Sequence, residues 1–254
     1  MNLLKEKIKE AGRKSGTDKI EYHGYDRFYS EFLNQNDIKN DILEIGYGEG
    51  KSIEFWNYIY PNSFLNIIDK NIEEKYKNYQ VYKCDQSKKK DLISTYNLLK
   101  EKSIELIVDD GSHLPEHQII TFNIFFNDLL IPGCPYFIED IETSYWKRGN
   151  TYGYPTNYGL NSKKSIINIF LLLINWINSE FLTDKEKNKL TNLIKLAGFD
   201  MNAVNKIKNI GFGKNIICIT KKTEEDLIYE KKEYRFKQNI ESQSDRFKRL
   251  FSLL

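Results

Sequence analysis

The chain has 254 residues, with 38 Lys and Arg against 36 Asp and Glu, so its formal net charge is +2. This balance gives no electrostatic reason to expect a nucleic-acid partner or a membrane surface. Hydrophobic residues make up 40% of the chain and charged residues 29%, which is typical of a globular protein with a substantial core. The length suits one large α/β domain with additions better than two full domains.

Three cysteines, Cys84, Cys134 and Cys218, are far apart and lack the spacing of metal ligands. They indicate a reduced protein, so we expect a cytoplasmic location. The longest apolar run, residues 166–177, is shorter than the roughly 20 residues that a helix needs to cross a bilayer. We therefore expect no membrane insertion and interpret this run as a buried or interface helix.

Residues 1–35 are predicted to form helical pieces around a polar loop that contains the string GTDK. The spacing of Tyr25, Phe28, Tyr29 and Phe32 is helical, so this stripe is expected in the core. We interpret the segment as an N-terminal helical part that covers the cofactor site.

Strands and helices then alternate, which predicts βαβ units and a parallel sheet. The predicted strands are 41–46, 64–69, 80–84, 104–110 and 135–140. The predicted helices are 51–60, 117–130, 162–180 and 184–197. Segments 202–210 and 215–222 indicate an antiparallel pair at the sheet edge. The prediction for residues 36–222 is a Rossmann-like α/β fold with a mostly parallel central sheet, an antiparallel closing strand and helices on both faces.

Two segments depart from this alternation. Residues 141–165 are rich in Tyr, Gly and Asn and predict a long insertion, which in a compact domain is usually functional or mobile. Residues 223–254 alternate charges with helically spaced apolar residues, which predicts an amphipathic helix that packs on the domain or on a second subunit. We therefore expect a homo-oligomer.

The strongest single motif is LEIGYGEG at 43–50, between a predicted strand and a predicted helix. Gly46, Gly48 and Gly50 allow a sharp turn and a close approach of a ligand to the backbone. The G-x-G-x-G spacing differs from the dinucleotide fingerprint, and the carboxylate of Glu44 disfavours a phosphate-bearing ligand. A cofactor with an ammonium and a sulfonium group suits this loop better. The alternative is a tight turn without a ligand.

Two acidic residues at later strand ends are further candidates for cofactor binding. Asp69 lies 19 residues after Gly50, where a carboxylate can accept hydrogen bonds from both ribose hydroxyls. The alternative for Asp69 is a helix N-cap. Asp85 follows the third strand, where an adenine amino group would lie, and its alternative is a solvated turn residue.

The strings VDDGSH and IED follow two neighbouring strands, so their side chains are expected at one edge of the sheet. These side chains are Asp109, Asp110, His113, Glu139 and Asp140. Carboxylates so close together repel unless a cation lies among them. Mg²⁺ is the simplest such cation, because it needs only two or three carboxylates plus waters and substrate oxygens. The alternative is that some of the acids cap helices or bind backbone.

His113 lies three residues after Asp110 and within reach of a substrate hydroxyl beside the metal. A histidine titrates near neutrality and can accept a proton there, so we interpret His113 as the general base. A supporting or packing role is the alternative.

The strings GTDK, H-x-Y, ILEIGxGxG, D-Q, DDGSH, IED and SYW, with an Asp after the second strand, resemble the metal-dependent sugar O-methyltransferases of macrolide biosynthesis. Cephalosporin-hydroxylase-like and rhamnosyl O-methyltransferase proteins are related to that family. The resemblance covers roughly residues 15–147, and DDGSH with IED is its most specific part. It implies a class I methyltransferase fold, S-adenosylmethionine, Mg²⁺ or another divalent metal, and O-methylation of a sugar hydroxyl.

Carried over residue by residue, the resemblance assigns a role to each candidate. The metal ligands are Asp110, Glu139 and Asp140, and the catalytic residues are His113 and Asp110. The cofactor residues are Thr17, Asp18, Glu44, Gly46, Gly48, Asp69, Asp85 and Asp109. Residues 148–162 do not align with the family and are expected to carry specificity for the acceptor.

The functional hypothesis is methyl transfer to a hydroxyl of a sugar or of an intermediate in polysaccharide biosynthesis. A small-molecule acceptor is the expected partner, and Lys147 and Arg148 leave room for phosphate or a nucleotide on it. Three alternatives remain open. They are an NAD-dependent sugar oxidoreductase or epimerase, an iron oxygenase, and a catalytically inactive scaffold subunit.

Overall fold

The computed structural model of the protein describes residues 3–33 and 40–230. Its strands, in chain order, are β1 (Asp41–Ile45), β2 (Leu65–Asp69), β3 (Glu74–Lys75), β4 (Tyr79–Lys83), β5 (Ile104–Asp109), β6 (Pro135–Glu139), β7 (Gly149–Thr151), β8 (Tyr154–Thr156), β9 (Ile207–Gly213) and β10 (Ile216–Lys221). Its helices are α1 (Leu3–Ser15), α2 (Asp18–Glu21), α3 (Asp26–Phe32), α4 (Lys51–Ile59), α5 (Lys89–Leu99), α6 (Pro115–Asp128), α7 (Ile166–Ile177), α8 (Asp184–Leu196), α9 (Met201–Val204) and α10 (Glu224–Glu230).

The central sheet has the strand order β3-β4-β2-β1-β5-β6-β10-β9. Neighbouring strands from β4 to β6 pair in parallel. The hairpin β9–β10 adds antiparallel to β6, and the short β3 adds antiparallel to β4. The chain runs from β1 to β2 and β4, then returns to β5 on the other side of β1. Open α/β sheets bind ligands at such a reversal, outside the carboxyl ends of the strands.

Helices cover both faces of the sheet because its central strands are apolar on both faces. Ile42 and Leu43 are consecutive in β1, yet they lie in two different cores. Ile42 packs in a core with side chains of α1, α3 and α4. Leu43 packs in the larger core, which contains side chains of α5, α6, α7 and α8. The predicted Rossmann-like α/β fold, with helices on both faces, is confirmed.

Several element boundaries differ from the prediction for local reasons. The predicted strand over 202–210 is wrong in its first half, because the Asp200 side chain caps α9 and β9 begins only at Ile207. Helix α5 and strand β3 were not predicted. Of the predicted C-terminal helix over 223–254, α10 covers 224–230, and the later residues lie outside the described part of the chain.

The predicted insertion contains a 3-10 turn (Ile141–Tyr145) followed by an antiparallel hairpin of β7 and β8. Tyr152 and Gly153 form the two-residue turn of this hairpin, and both have positive φ, at 50° and 87°. A two-residue turn with two positive φ angles matches the twist of hairpin strands, although Tyr is an uncommon residue there. We call residues 149–156 the insertion hairpin.

None of the helices in the described part of the chain combines the length and the apolarity that a bilayer crossing requires. The apolar helix α7 has 12 residues, and its buried side chains, among them Phe170 and Leu173, pack in the larger core.

The loop after β1 lies against the loop after β5. The Asp110 N–H donates to the carbonyl of Ile45 at 2.9 Å, and Gly46 has φ +100°. A Cβ on Gly46 would overlap the backbone carbonyl of Asp110. The first glycine of the motif therefore permits the contact between the two strand ends that carry the candidate site.

We expect Gly46→Ala to lower the free energy of unfolding by about 3 kcal/mol, since an unfavourable φ adds to a backbone overlap. Urea unfolding followed by circular dichroism measures the loss. Gly16→Ala is the matched control, because Gly16 also has positive φ but has open space around its Cα. That control should lose only about 1 kcal/mol. Equal losses in the two variants would contradict the proposed close approach.

Candidate functional site

A cavity of about 510 Å³ opens at the carboxyl ends of the central parallel strands, where the strand order reverses. Of the residues predicted to bind a cofactor or metal, five line it: Gly46, Gly48, Asp69, Asp85 and Asp110. Apolar side chains, including Ile45, Ile68 and Ile72, provide the rest of its floor and walls. The residues that line the cavity come from the ends of four strands, β1, β2, β4 and β5, from the loops that follow them, and from residues 152 and 154.

Asp69 lies at the end of β2 and shapes the rim of the cavity. Its Oδ1 accepts hydrogen bonds from the backbone N–H groups of Asn71 at 2.8 Å and Ile72 at 3.2 Å. Its Oδ2 accepts from the N–H of Tyr47, in the glycine loop, at 3.3 Å. The chain continues from Asp69 into the short strand β3, so the alternative of a helix N-cap is wrong.

Asp85 is the second acid of the cavity rim. Its Oδ1 accepts hydrogen bonds from Ser87, from the N–H at 3.0 Å and from the hydroxyl at 2.6 Å. Burial works to raise the pKa of Asp85, but these hydrogen bonds from Ser87 and the nearby lysines hold that pKa below its usual value. Asp85 is therefore a charged acceptor beside the cavity.

Four of the predicted cofactor residues lie outside the cavity lining. Glu44 and Asp109 are fully buried beneath it. Thr17 is buried at the start of α2, and Asp18 is exposed. Their assignment to the cofactor stays a prediction. Asp109 contacts Gln86, which lines the cavity, and does not line the cavity itself.

Asp109 holds the residue next to Asp85. Gln86 donates from its side-chain amide to Asp109 at 2.8 Å and accepts from the N–H of Ser112 at 2.8 Å. Tyr136 donates its hydroxyl proton to the other oxygen of Asp109 at 3.1 Å. Burial raises the pKa of Asp109 to about 6. This network fixes the loop after β4 to the loop after β5.

Lys19, the last residue of the GTDK string, reaches the acids from α2. Its Nζ lies 2.5 Å from Asp110 Oδ2 and 2.7 Å from Glu139 Oε2. It also lies 3.2 Å from Glu44 Oε1, which is an ion-pair distance without hydrogen-bond geometry. The lysine side chain is only 2% exposed. One ammonium group therefore joins the N-terminal segment to the ends of β1, β5 and β6.

Burial and neighbouring charges shift the pKa values of Lys19 and the acids around it in opposite directions. Burial works to lower the pKa of Lys19, but the carboxylates of Asp110, Glu139 and Glu44 raise it well above its usual value. Burial raises the pKa of Glu139 to about 7 and raises that of Glu44, while Lys19 works in the opposite direction. Lys19 therefore carries a charge, and its removal would leave buried acids without a counter-ion.

Three side chains lie close enough to hold one metal ion: Asp110, His113 and Asp140. One potential ligand atom from each lies within 4.8 Å of the others. We call these three residues the acidic group. Glu139, which was predicted as a ligand, is not part of it, because its carboxylate accepts hydrogen bonds from Lys19 and from the hydroxyl of Tyr29.

Asp140 is held by residues from both ends of the described chain. Tyr25 donates its hydroxyl proton to Asp140 Oδ1 at 2.5 Å, and Asn215 donates its side-chain amide to the same oxygen at 3.0 Å. Asp140 Oδ2 lies 3.9 Å from His113 Nε2. Burial first, and the charge of Asp110 second, raise the pKa of Asp140. His113 and His23 work in the opposite direction, and a bound cation would lower this pKa further.

The backbone is strained around the acidic group. Within residues 3–33 and 40–230, the non-glycine residues with positive φ are His113, Asp140, Tyr152 and Asn215. Two of them belong to the acidic group, Asn215 contacts Asp140, and the ring of Tyr152 lies 5.5 Å from that of His113. Such conformations cost free energy and persist where surrounding structure enforces them, often at functional sites.

Sequence reasoning missed Lys19, Tyr25, Asn215 and Gln86 as site residues. Lys19 and Tyr25 lie in strings that carried the family resemblance, GTDK and H-x-Y, so a signal for them existed. Gln86 lies in the D-Q string in the same way. Asn215 sits in the β9–β10 turn, and nothing in its sequence surroundings indicates a contact with Asp140.

The parallel sheet with its antiparallel closing hairpin, and a cavity at the strand-order reversal, define a Rossmann-like fold of the class I methyltransferase type. Among solved structures, the MycE methyltransferase in complex with Mg, SAH and mycinamycin VI is similar at a TM-score of 0.69 and 18% identity. That likeness covers 88% of this chain and 59% of the MycE chain. No family model matches the sequence.

Two curated proteins are also similar to this chain in sequence. The 8-demethyl-8-alpha-L-rhamnosyl tetracenomycin-C 2'-O-methyltransferase of Streptomyces olivaceus is 28% identical over 141 residues, which are 52% of this chain and 36% of the relative. The demethylmacrocin O-methyltransferase of Streptomyces fradiae is 30% identical over 134 residues, 48% of this chain and 32% of the relative. The chain thus spans about a third of these relatives. Its predicted resemblance to macrolide sugar O-methyltransferases is confirmed.

We expect Lys19→Met to lower the free energy of unfolding by about 3–5 kcal/mol, because buried carboxylates would lose their counter-ion. Urea unfolding in the presence of a chelator measures this loss. Lys9→Met, at a half-exposed lysine of α1 that pairs with Glu6, should change it by less than about 0.5 kcal/mol.

The double variant Lys19→Met with Glu139→Gln tests the cause. It should recover part of the lost stability, since one of the unpaired charges is gone. If the double variant is no more stable than Lys19→Met alone, Lys19 stabilises the protein through packing and not through its charge.

Proposed function

We propose that the protein is an S-adenosylmethionine-dependent, divalent-metal-dependent O-methyltransferase that acts on a hydroxyl group of a sugar or of a glycan-biosynthesis intermediate. One observation carries the proposal: Asp110 both lines the cofactor-sized cavity and belongs to the acidic group. A cofactor and a metal bound at these two places would meet at Asp110. That adjacency is what transfer of a methyl group to a metal-activated hydroxyl needs.

The cavity suits S-adenosylmethionine in shape and charge. Asp69 and Asp85 lie on its rim as acceptors for hydroxyl and amino groups, and Gly48, which has open space at the position of a Cβ, leaves room for a ligand near the backbone. Glu44 places a carboxylate below the glycine loop. These acids suit a cofactor with positive charge and disfavour the pyrophosphate of a dinucleotide.

The acidic group suits a divalent cation. Asp110 and Asp140 offer carboxylate oxygens, which are the ligands that Mg²⁺ prefers, and leave positions for water and acceptor oxygens. The Nδ1 atom of His113 is buried and makes no hydrogen bond to any described residue. The side chains present therefore fit a bound metal, with Glu139 next to them and engaged by Lys19.

When bound, a divalent ion would lower the pKa of an acceptor hydroxyl, and S-adenosylmethionine would supply the methyl group. We assign the ion to the carboxylates of Asp110 and Asp140, and the hydroxyl proton to Nε2 of His113, which lies 3.9 Å from Asp140. Tyr25 and Asn215 keep Asp140 in place through their hydrogen bonds, and Lys19 positions Asp110. Orientation of the reacting groups by such fixed side chains contributes much of the rate.

The acceptor class rests on the relatives. By name, one relative is a rhamnosyl tetracenomycin-C 2'-O-methyltransferase and the other is a demethylmacrocin O-methyltransferase. The rhamnosyl group in the first name is the reason that we propose a sugar hydroxyl as the acceptor. Lys147 and Arg148 are exposed beside the insertion hairpin and would tolerate a phosphate- or nucleotide-bearing sugar. We further propose that the protein is a homo-oligomer.

Titration calorimetry of chelator-treated protein with S-adenosylhomocysteine and with NAD, each with and without Mg²⁺, tests the class. We expect binding of S-adenosylhomocysteine and no binding of NAD, because the acids around the glycine loop repel a pyrophosphate. Binding of NAD alone would favour the oxidoreductase alternative. Binding of neither ligand would favour the scaffold alternative and overturn the proposal.

Two isosteric variants separate the cofactor from the metal. Asp69→Asn should weaken S-adenosylhomocysteine binding about tenfold, because a charged acceptor is lost, and should leave metal affinity unchanged. Asp140→Asn should weaken Mn²⁺ binding at least about tenfold and leave cofactor affinity unchanged, since Asp140 lies outside the cavity lining.

Calorimetry measures the affinity for S-adenosylhomocysteine. Electron paramagnetic resonance measures the affinity for Mn²⁺ and does not require turnover. Glu139→Gln and His113→Ala belong in the same series, because they decide whether either side chain is the third ligand. Unchanged Mn²⁺ affinity in Asp140→Asn would refute the metal assignment.

A further inference from the structure

The insertion hairpin forms part of the cavity wall. Tyr152 and Tyr154, from its turn and from β8, line the same cavity as Gly46, Asp69 and Asp85. Among residues 3–33 and 40–230, they are its only lining residues from outside the parallel strands and the loops that directly follow those strands. The hairpin thus lies opposite the floor that the strand ends provide.

Tyr154 is held at the nucleoside end of the cavity by a chain of hydrogen bonds. Lys70 donates from Nζ to the hydroxyl of Tyr154 at 2.8 Å, and this hydroxyl faces Asp85 Oδ1 at 3.4 Å. Lys70 Nζ also lies 4.8 Å from the centroid of the tyrosine ring. Asp69, the predicted ribose ligand, precedes Lys70 in the chain. Tyr154 therefore contacts Asp85, one of the two acids assigned to the nucleoside, and the residue that follows the other.

The rest of the insertion anchors the hairpin at its base. The hydroxyl of Tyr158 donates to Glu116 at the start of α6 at 2.5 Å, and the N–H of Tyr158 donates to the carbonyl of Trp146 at 2.7 Å. The Trp146 ring lies directly against Gly149. Tyr158 thus ties the insertion to α6, and Trp146 packs within the insertion. Tyr154 lines the cavity and is held through its hydroxyl.

Tyr152 connects the hairpin to the acidic group. It lies at the turn, two residues before Tyr154, and its ring centroid is 5.5 Å from that of His113. On the other side, the Tyr154 ring packs edge-on against His117 at 4.9 Å. A single hairpin therefore reaches from the nucleoside end of the cavity to the group proposed to accept the proton.

We infer that Tyr154 is a cofactor-binding residue and that the insertion hairpin is a lid, which Lys70 and Asp85 hold closed over the adenosine part of the cofactor. The inference rests on the proposed function in that it assumes an adenosine-bearing ligand in this cavity. The Tyr154 ring offers a flat face to the cavity, and its hydroxyl is fixed by Lys70, which also lines the cavity. Entry and release of the cofactor then require the hairpin to move away from Asp85.

The test is the dissociation rate of tritiated S-adenosylmethionine without acceptor, measured by chase with excess unlabelled cofactor and filter binding. We expect Tyr154→Ala to raise this rate about tenfold or more, because a ring that stacks on or covers a base contributes strongly to binding. Tyr145→Ala is the matched control, because Tyr145 is an exposed tyrosine of the same insertion outside the cavity lining. It should leave the rate unchanged.

Tyr154→Phe and Lys70→Met distinguish the contribution of the Tyr154 ring to cofactor binding from that of its hydrogen bond to Lys70. Each should raise the dissociation rate severalfold, and the double variant should raise it no further, because both changes break the same contact. Additive effects would mean that Lys70 acts on the cofactor alone and would overturn the closed-lid arrangement. An unchanged rate in Tyr154→Ala would overturn the assignment of Tyr154.

The outcomes also separate this inference from the proposed function. If wild-type protein binds NAD instead of S-adenosylmethionine, the methyltransferase proposal fails, and the same variants measured with NAD decide the inference, since NAD also carries adenosine. Wild-type protein that binds neither ligand overturns both.

Discussion

The buried ammonium of Lys19 is the interaction on which the site depends. Three acids at the ends of three different strands, Glu44, Asp110 and Glu139, surround it. Without a cation these acids would repel, and the strand ends that carry them would separate or take up protons. Because the cation comes from α2, the N-terminal segment is not an accessory to the sheet. It is a structural requirement for placing acids where a metal and a cofactor would meet.

Conformational strain complements this electrostatic constraint. The left-handed backbone at His113 and Asp140 turns both side chains towards the same space. Such strain is maintained only because neighbouring contacts over-determine the loops. Examples are the bond from the Thr143 hydroxyl to the carbonyl of His113 at 2.6 Å and the bonds of Asn215 to Asp140. The acidic group is therefore held in one geometry before any ligand arrives, which lowers the reorganisation that binding would need.

Much of the fold could be predicted because its signals are local. The apolar run before Gly46, the glycine spacing and the acids at strand ends are all visible in short strings. What could not be predicted depends on contacts distant in sequence. A lysine in a polar string such as GTDK resembles a surface residue, and only folding shows that Lys19 is buried. Likewise Glu139 and Asp140 are adjacent in sequence, but the end of β6 directs one to Lys19 and the other to His113. The insertion hairpin was missed because its turn uses a tyrosine at positive φ.

The contact between Tyr25 and Asn215 has a consequence for the order in which the molecule forms. These residues are 190 positions apart, while Lys19 meets Asp110 and Glu139 across separations of 91 and 120. A ribosome delivers Lys19 and Glu44 long before Asp110 and Glu139, and it delivers Asn215 later still. Contacts between residues so far apart in sequence form slowly, because the entropy of closing a long loop is lost before the contact contributes favourable free energy. During synthesis the nascent chain therefore carries Lys19 without two of its three carboxylate partners, and Asp140 gains its contact with Asn215 only when the final hairpin of the sheet has been made.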